Sequence, residues 1–369
     1  MENRCKINYF SEDSPKGSLF LEIYNGFNFD DTDGFIQDKI NDKMLCVLED
    51  NHRLQEITRV STVSDFNNAA VEGRSTDIIN VSEVLQARRI AAIADEIEAN
   101  ESIRMVLIAG PSSSGKTTFC KRLSIQLMAV GLHPVPLSLD DYFVNRVDTP
   151  LGDDGKYDFE SLYAIDLDLF NNQLAALLRG EKIELPHYNF ETGCREFNGT
   201  KMQLRDEKSI LVIEGIHALN PKLTHLIPKD NKYHIFVSVL TSLMLDDNAY
   251  IPTTDNRLLR RILRDYQFRG FSAKNTIAMW PNVRKGEERW IFSFLDRADT
   301  MFNSSFLYEL AILKDKLVPI LKEVEKGCLE YEIAQNLLGY LKHFNAIPDK
   351  AIPPTSLLRE FVGGSSYHY

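Results

Sequence analysis

The sequence lacks the features by which secreted and membrane proteins are usually recognised. It has only five cysteines in 369 residues, an odd number with wide gaps, and no two of them form a C-x-x-C pair. Free thiols in a reducing compartment are the simplest interpretation. No run approaches the roughly 20 apolar residues of a membrane span, and the first residues lead into no apolar stretch of a signal peptide. We therefore expect a cytoplasmic protein without a membrane partner.

Basic residues are also in deficit. Lysine and arginine number 42 against 53 aspartates and glutamates, which gives a formal net charge of −11. Nucleic acid is therefore not expected as the main partner, because affinity for it comes from neutralising phosphates. With 44% hydrophobic and 26% charged residues, and no repeat or low-complexity segment, the composition is that of an ordinary globular protein.

One Gly-rich stretch organises the rest of the chain. Residues 110–117, Gly-Pro-Ser-Ser-Ser-Gly-Lys-Thr, fit the pattern G-x-x-x-x-G-K-[ST] of a phosphate-binding loop, the P-loop. The apolar run Met105–Ile108 predicts a buried strand before it, and the apolar spacing within residues 117–130 predicts a helix after it. Strand, loop and helix in this order are what a P-loop requires, which argues against a chance match in a serine-rich turn.

The predicted ligand of this loop is ATP with Mg²⁺. Gly110 and Gly115 allow backbone conformations that turn N–H groups onto phosphate oxygens, and the helix N-terminus adds a partial positive charge. Lys116 can reach the β- and γ-phosphates, and Thr117 offers a hydroxyl to Mg²⁺. The predicted nucleotide-binding residues are Gly110, Pro111, Ser112, Ser113, Ser114, Gly115, Lys116, Thr117 and Thr118.

Strand-like and helical segments alternate along the chain, which predicts a parallel sheet covered on both faces. Beyond those beside the loop, strands are predicted at residues 134–139, 209–214, 234–240 and 301–303, helices at 82–100, 167–178, 255–266, 306–326 and 331–344, and a hairpin at 183–197. Ser82 is the predicted N-cap of the first of these helices. We expect an α/β P-loop NTPase fold: a parallel five-stranded sheet flanked by helices, with a β-hairpin insertion and extra C-terminal helices.

The expected organisation has three parts. Residues 1–60 form a short N-terminal region of unclear fold, and residues 61–310 form the P-loop domain with a helical lead-in at 82–100. Residues 311–369 form a C-terminal helical extension and a tail.

Two acidic residues are predicted at the carboxyl ends of strands, where ligands of such sheets bind. Asp140 follows the strand at 134–139 and could act as a general base toward an acceptor hydroxyl, as a Mg²⁺ ligand, or as both. Glu214 ends an apolar strand, as in a Walker B motif, and could hold a Mg²⁺-bound water. The alternative for Asp140 is an Asx turn or helix cap, and many buried strands end in Glu without a catalytic reason.

Four arginines are predicted on one helical face. Arg257, Arg260, Arg261 and Arg264 follow the spacing i, i+3, i+4, i+7. In an acidic chain this stripe favours a polyanionic target such as a transferred phosphoryl group, and the alternative is a solvated face paired with acids. Residues 185–195 of the hairpin carry aromatic and basic groups that suit a flat acceptor, although a packed aromatic face explains them equally well.

Together these pieces resemble the uridine kinase branch of the phosphoribulokinase/uridine kinase family. The resemblance covers about residues 60–310 and rests on an ordered set of segments: 110–118, 140–143, 157–160, 186–195, 214–216 and 255–265. The segments at 82–116 and 353–366 resemble a bacterial uridine kinase subgroup that usually carries an N-terminal TGS domain and a synthetase-like editing domain. Residues 1–60 are too short to hold both.

The resemblance implies ATP-dependent phosphorylation of a small-molecule hydroxyl, expected to be the 5′-hydroxyl of a nucleoside. It implies Mg²⁺ ligation by Thr117, Asp140 and Glu214, with Asp140 also acting as the base. The residues given catalytic roles are Asp140, Lys116, Arg257, Arg260 and Arg264, and those given acceptor contacts are Tyr142, Glu160, Tyr188, Arg195 and Arg269. Members of the family often self-associate, so a homo-oligomer is a further expectation.

One hairpin position departs from the family's pattern. Uridine-cytidine kinases have a His five residues after the hairpin Tyr, which reaches the pyrimidine, whereas this chain has Gly193 there. His187 precedes Tyr188 and is not its equivalent. Two alternatives therefore stay open: a kinase for a non-nucleoside such as a sugar phosphate, and a nucleotide-binding regulatory module that has lost catalysis. The intact loop lysine and both acidic residues argue against the second.

Overall fold

The computed structural model describes residues 34–152, 155–189, 191–246 and 249–368. Much of the predicted N-terminal region lies outside these residues. The helices are α1 Gly34–Thr58, α2 Val63–Val71, α3 Ser75–Glu98, α4 Lys116–Ala129, α5 Leu167–Leu178, α6 Thr253–Phe268, α7 Ala273–Trp290, α8 Glu309–Lys322, α9 Glu330–Lys342 and α10 Arg359–Val362. The strands are β1 Met105–Ala109, β2 His133–Ser138, β3 Ile183–Asn189, β4 Cys194–Met202, β5 Ser209–Glu214, β6 Lys232–Ser238, β7 Met244–Asp246, β8 Ala249–Tyr250 and β9 Thr300–Asn303.

The central sheet, among the residues described, has five strands in the order β2-β5-β1-β6-β9. Each neighbouring pair is parallel. β1 lies in the middle and is buried along its whole length, because helices cover both faces of the sheet. The predicted parallel five-stranded sheet is therefore confirmed, and the P-loop leaves its central strand.

Alternate residues of β1 point to two separate apolar cores. Val106 and Ile108 pack with residues of α2, α3, α4, α6, α8 and α9. Leu107 and Ala109 pack on the opposite face with residues of α5 and the hairpin. The helices after the sheet thus share a core with the P-loop helix. In the described part of the chain, no helix combines the length and the apolar composition needed to cross a bilayer.

Several helices differ from the prediction, and α2 and α10 have no predicted counterpart. The lead-in helix α3 begins at Ser75, so Ser82 lies inside it and not at its N-cap. Ser82 is buried, and its hydroxyl donates to the Ile78 carbonyl oxygen at 2.7 Å. The helix continues about two turns further toward the N-terminus than predicted. Helix α7 was not predicted from the sequence because it contains Pro281, and proline usually ends or kinks a helix.

The hairpin β3–β4 projects beside the carboxyl ends of the central strands. Its strands are antiparallel and place Tyr188 opposite Arg195. Its turn ends at Gly193, whose φ of +71° lies in the left-handed region that favours glycine. The predicted β-hairpin insertion is confirmed.

Candidate active site

The P-loop has the backbone that phosphate binding requires. Gly115 is the N-cap of α4 at φ 80°, and Ser113 also has a positive φ of 61°. Gly110 lies so close to the Val237 carbonyl oxygen on β6 that a Cβ at this position would overlap it. The loop therefore brings the first N–H groups of α4 to the carboxyl end of β1, where the helix N-terminus stabilises an anion.

The loop lysine and threonine meet the acid that ends β5. The ammonium of Lys116 donates to the Pro111 carbonyl oxygen at 3.2 Å. The Thr117 hydroxyl donates to Glu214 Oε1 at 3.3 Å, and the Ser138 hydroxyl donates to the same oxygen at 3.4 Å. Three strand ends, those of β1, β2 and β5, thus supply groups to one point.

Asp140 completes this cluster from the short 3₁₀ turn that follows β2. Its N–H donates to the Ser138 hydroxyl oxygen at 3.3 Å. Burial, together with the nearby Asp140 charge, raises the pKa of Glu214 to about 7. Burial lowers the pKa of Lys116, while the Glu214 and Asp140 carboxylates oppose that effect. The two acids and the lysine are therefore close enough to act on one another.

The oxygens of this cluster fit a Mg²⁺ ion that arrives with a nucleotide. In the described residues no group of three or more His, Cys, Asp or Glu side chains could hold a metal ion alone. Mg²⁺ commonly needs only one or two carboxylates, because waters and substrate phosphates complete its shell. The Thr117 hydroxyl, Glu214 and Asp140 are the residues that would hold it.

The first two arginines of α6, which we call the inner arginines, are buried. Arg257 is 1% exposed and pairs with Glu287 of α7. Arg260 is 0% exposed, pairs with Glu309 of α8, and its Nη2 donates to Oε2 at 2.7 Å. Both guanidiniums also donate to carbonyl oxygens of the P-loop, at 3.2 and 3.5 Å. The inner arginines thus stabilise the P-loop through hydrogen bonds to its backbone. Their predicted role in phosphoryl transfer stays a prediction.

The next two, Arg261 and Arg264, are half-buried on the cleft side, and we call them the outer arginines. Asp265 is 1% exposed. Its carboxylate accepts two hydrogen bonds from the Arg264 guanidinium, at 2.8 and 3.0 Å. The same carboxylate lies 3.3 Å from the Arg261 guanidinium and 3.8 Å from that of Arg269. Arg261 also donates to the Ser112 hydroxyl at 2.8 Å. The positive charge of Arg264 lowers the pKa of the P-loop lysine. The buried carboxylate of Asp265 therefore holds Arg261, Arg264 and Arg269 close together beside the P-loop.

Helix α7 touches the P-loop through a carboxylate that was not predicted from the sequence. Glu287 is fully buried and accepts from the Ser112 N–H at 3.3 Å and from Arg284 at 2.9 Å, besides its ion pair with the inner arginine. No local pattern marks this residue, because its partners lie in the loop and in α6. Glu287, Asp265 and Glu309 are the functional candidates that sequence reasoning missed.

Glu160 borders the cleft opposite the loop. Burial raises its pKa to about 7, and the positive charges of Arg261 and Lys116 oppose that rise. Its side chain packs directly on Gly286 of α7, where a Cβ would overlap it. The predicted acceptor residue Glu160 is thus brought together with the loop lysine and an outer arginine.

The hairpin supplies Tyr188 to the same side. Tyr188 is buried, and its N–H donates to Asp141 Oδ1 at 3.4 Å. The Arg146 guanidinium lies close enough to Tyr188 that its charge acts on the pKa of the Tyr188 hydroxyl, and its side chain packs on Gly193, where a Cβ would overlap it. Arg146, which comes from another segment of the chain, thus fills the space that a side chain at position 193 would take.

Two predicted acceptor residues point elsewhere in the structure. Tyr142 is fully buried and its hydroxyl donates to Gln173 at 2.7 Å. Arg195 pairs with Asp166, the N-cap of α5, at 2.8 Å. Their roles in acceptor binding stay predictions, whereas Arg269 lies near Asp140 and Arg264, whose charges act on it.

Known proteins resemble this chain in sequence. A uridine kinase of Halobacterium salinarum is 30% identical over 164 residues, 44% of this chain and 63% of the relative. A uridine kinase of Schizosaccharomyces pombe is 33% identical over 277 residues, 72% of this chain and 56% of the relative. The chain thus spans less than two thirds of either relative. A solved structure of a possible uridine kinase from Bacillus stearothermophilus is 20% identical and covers 58% of this chain and 98% of its own, with a TM-score of 0.39.

The family comparison covers the cleft itself. The model of the Phosphoribulokinase / Uridine kinase family matches residues 105–307, more than half of the chain. This stretch holds the P-loop, both acidic residues, the hairpin and all of α6 and α7. The chain therefore belongs to the phosphoribulokinase/uridine kinase family.

Proposed function

We propose that this chain is an ATP-dependent kinase that phosphorylates the 5′-hydroxyl of a nucleoside. The observation that carries the proposal is the convergence of Lys116, Asp140 and Glu214 at the ends of three parallel strands, where both acids act on the lysine. The names of the uridine kinase relatives support a nucleoside as the acceptor. The activity, substrate and cofactors of the whole protein are all part of this proposal.

Each residue has a defined task in the proposed reaction. Asp140 accepts the proton of the acceptor hydroxyl, whose oxygen forms a bond to the γ-phosphorus of ATP while the bond to the β-phosphate oxygen breaks and ADP leaves. Lys116 neutralises β- and γ-phosphate oxygens, and Arg264 meets the charge on the transferred group. Mg²⁺ held by Thr117, Glu214 and the phosphates would neutralise further negative charge.

A second candidate acceptor is a non-nucleoside that carries an anionic group, such as a sugar phosphate. Arg146 favours it, because its guanidinium packs on Gly193 beside Tyr188. Arginine is suited to bind phosphate and carboxylate groups through paired hydrogen bonds. A nucleoside offers no such charge, so the two candidates differ in what Arg146 contributes.

Product identification tests the function. The protein is incubated with ATP, Mg²⁺ and either pooled nucleosides or pooled sugar phosphates, and products are identified by mass spectrometry. The expected product is a nucleoside 5′-monophosphate. If a sugar phosphate is phosphorylated instead, the second candidate acceptor is the correct one. Tight ATP binding without turnover for any acceptor would instead indicate the regulatory module.

The Asp140→Asn variant separates base from metal ligand in the same assay. Loss of the base should slow transfer by about 10²–10⁴-fold at any Mg²⁺ concentration. If Asp140 chiefly binds Mg²⁺, raised Mg²⁺ should restore part of the rate. A near-normal rate at ordinary Mg²⁺ would exclude both roles and direct attention to Asp141.

A further inference from the structure

The segment at residues 353–366 folds back onto the P-loop. Leu357 is fully buried and packs directly on Gly115, where a Cβ would overlap its side chain. Phe361 is also fully buried, and the guanidinium of the inner arginine Arg260 lies 5.0 Å from its ring centroid. This segment, which we call the 353–366 segment, therefore covers the end of the loop that leads into α4.

Glu360 of this segment holds a loop residue by two hydrogen bonds. Its carboxylate accepts from the Thr118 N–H at 3.2 Å and from the Thr118 hydroxyl at 2.7 Å. The same carboxylate raises the pKa of Lys116, so its charge acts on the phosphate-binding lysine. A carboxylate on the N–H groups at a helix N-terminus uses the same attraction that binds a phosphate there.

A bound nucleotide would need the place that Glu360 takes. The backbone N–H groups of a P-loop cradle the α- and β-phosphates, while the lysine reaches the β- and γ-phosphates. Thr118 lies two residues beyond Lys116 along α4. We therefore expect its N–H to face the α-phosphate of a nucleotide whose β- and γ-phosphates contact Lys116. The nucleoside of the donor continues past that phosphate, toward Glu360 and Phe361.

Leu357, Leu358 and Phe361 anchor the segment in the core, so the partly buried Glu360 side chain is the part that can turn away from the loop. Arg359 donates to the carbonyl oxygens of Asp349 at 2.9 Å, of Ile352 at 2.7 Å and of Gly363 at 3.3 Å. These bonds tie the segment to itself and to its own approach, and not to the loop. The Glu360 carboxylate links the segment to the loop through its hydrogen bonds with Thr118.

We propose that Glu360 sets the affinity for the donor nucleotide by competing with its α-phosphate for Thr118. This inference rests on the proposed function, because it requires that ATP is the ligand of the loop. Only the fraction of molecules in which the Glu360 side chain has turned away from Thr118 binds ATP, so the apparent Kd equals the intrinsic Kd divided by that fraction. The α-phosphate of ATP and the Glu360 carboxylate are alternative occupants of one site.

The first experiment measures ATP binding by calorimetry in the full chain without any acceptor. Glu360→Gln keeps the shape of the side chain but removes the charge from its hydrogen bonds, and the Kd for ATP should fall about tenfold. Glu332→Gln, an exposed change on α9 with the same alteration of charge, should leave the Kd unchanged. An unchanged or higher Kd in Glu360→Gln would overturn the proposal.

The second experiment uses the unaltered protein and therefore does not depend on a variant that folds. Hydrogen exchange of backbone amides in residues 356–362 should speed up when a non-hydrolysable ATP analogue binds. Slower exchange would mean that the segment is a wall of the donor site and would overturn the proposal. If neither the unaltered protein nor Glu360→Gln binds ATP or GTP, the proposed kinase function itself fails; if both bind equally, only the role of Glu360 fails.

Discussion

The inner and outer arginines of α6 lie within two turns of one helix yet occupy different environments. Each inner arginine has its own buried carboxylate, supplied by α7 or α8. The outer arginines share Asp265 with Arg269, so three cations face one acid. A guanidinium neutralised in the interior can only brace its surroundings, whereas a partly neutralised one at a cleft can still attract an anion. Spacing along the helix does not distinguish the two cases.

The largest expected effect is on turnover when an outer arginine is removed. Arg264→Ala should lower kcat about 10³-fold, because a cation that meets the charge of the transferred phosphoryl group is lost. The unfolding temperature should fall less than in a variant of an inner arginine, because Arg261 and Arg269 still face Asp265. Steady-state kinetics and thermal unfolding check this, with the exposed Arg205→Ala as the control. An unchanged kcat would assign Arg264 to a solvated face.

The inner arginines should show the opposite behaviour. Arg260→Ala leaves Glu309 buried and unpaired, which should lower the free energy of unfolding by about 3 kcal/mol. Urea unfolding measures this, and the double variant Arg260→Met with Glu309→Leu should recover most of the loss because no charge is left unpaired. Unchanged stability together with a large fall in kcat would instead support the predicted catalytic role of Arg260.

Asp265 should have an intermediate effect, through the arginines that it holds. Asp265→Asn removes the charge that orients Arg261, Arg264 and Arg269, and kcat should fall between about tenfold and 10²-fold. The KM for ATP should change less than kcat. Partial recovery in Asp265→Glu would show that the carboxylate acts by position; equal losses in kcat and stability in both variants would make it purely structural.

The smallest expected effect concerns pH on the acceptor side. The pKa of Glu160 is raised to about 7, so this carboxylate becomes ionised as the pH rises from 6 to 8. If it accepts hydrogen bonds from the acceptor, the acceptor KM should fall severalfold over this interval. In Glu160→Gln the KM should not respond to pH in this range, and an identical response in both proteins would exclude Glu160 as the titrating group.

The parts of the molecule that could be predicted from sequence depend on neighbours in the chain. Strand β5, helix α5 and the P-loop carry their signals within a few residues, and the structure places all three where expected. The burial of the inner arginines depends on carboxylates 30 and 49 residues further along the chain. Glu287 was missed because its partners lie in the loop and in α6. The 353–366 segment was noticed in the sequence, but nothing local in it marks a contact with Gly115.

Helix α7 has a mechanical consequence that follows from two of its contacts. Gly286 packs on Glu160 on the acceptor side, and Glu287 accepts from the Ser112 N–H on the donor side. These are consecutive residues of one helix, so they move as a rigid unit. A shift of the P-loop would therefore be passed through α7 to Glu160. In the proposed reaction, we expect the binding of one substrate to alter the space left for the other.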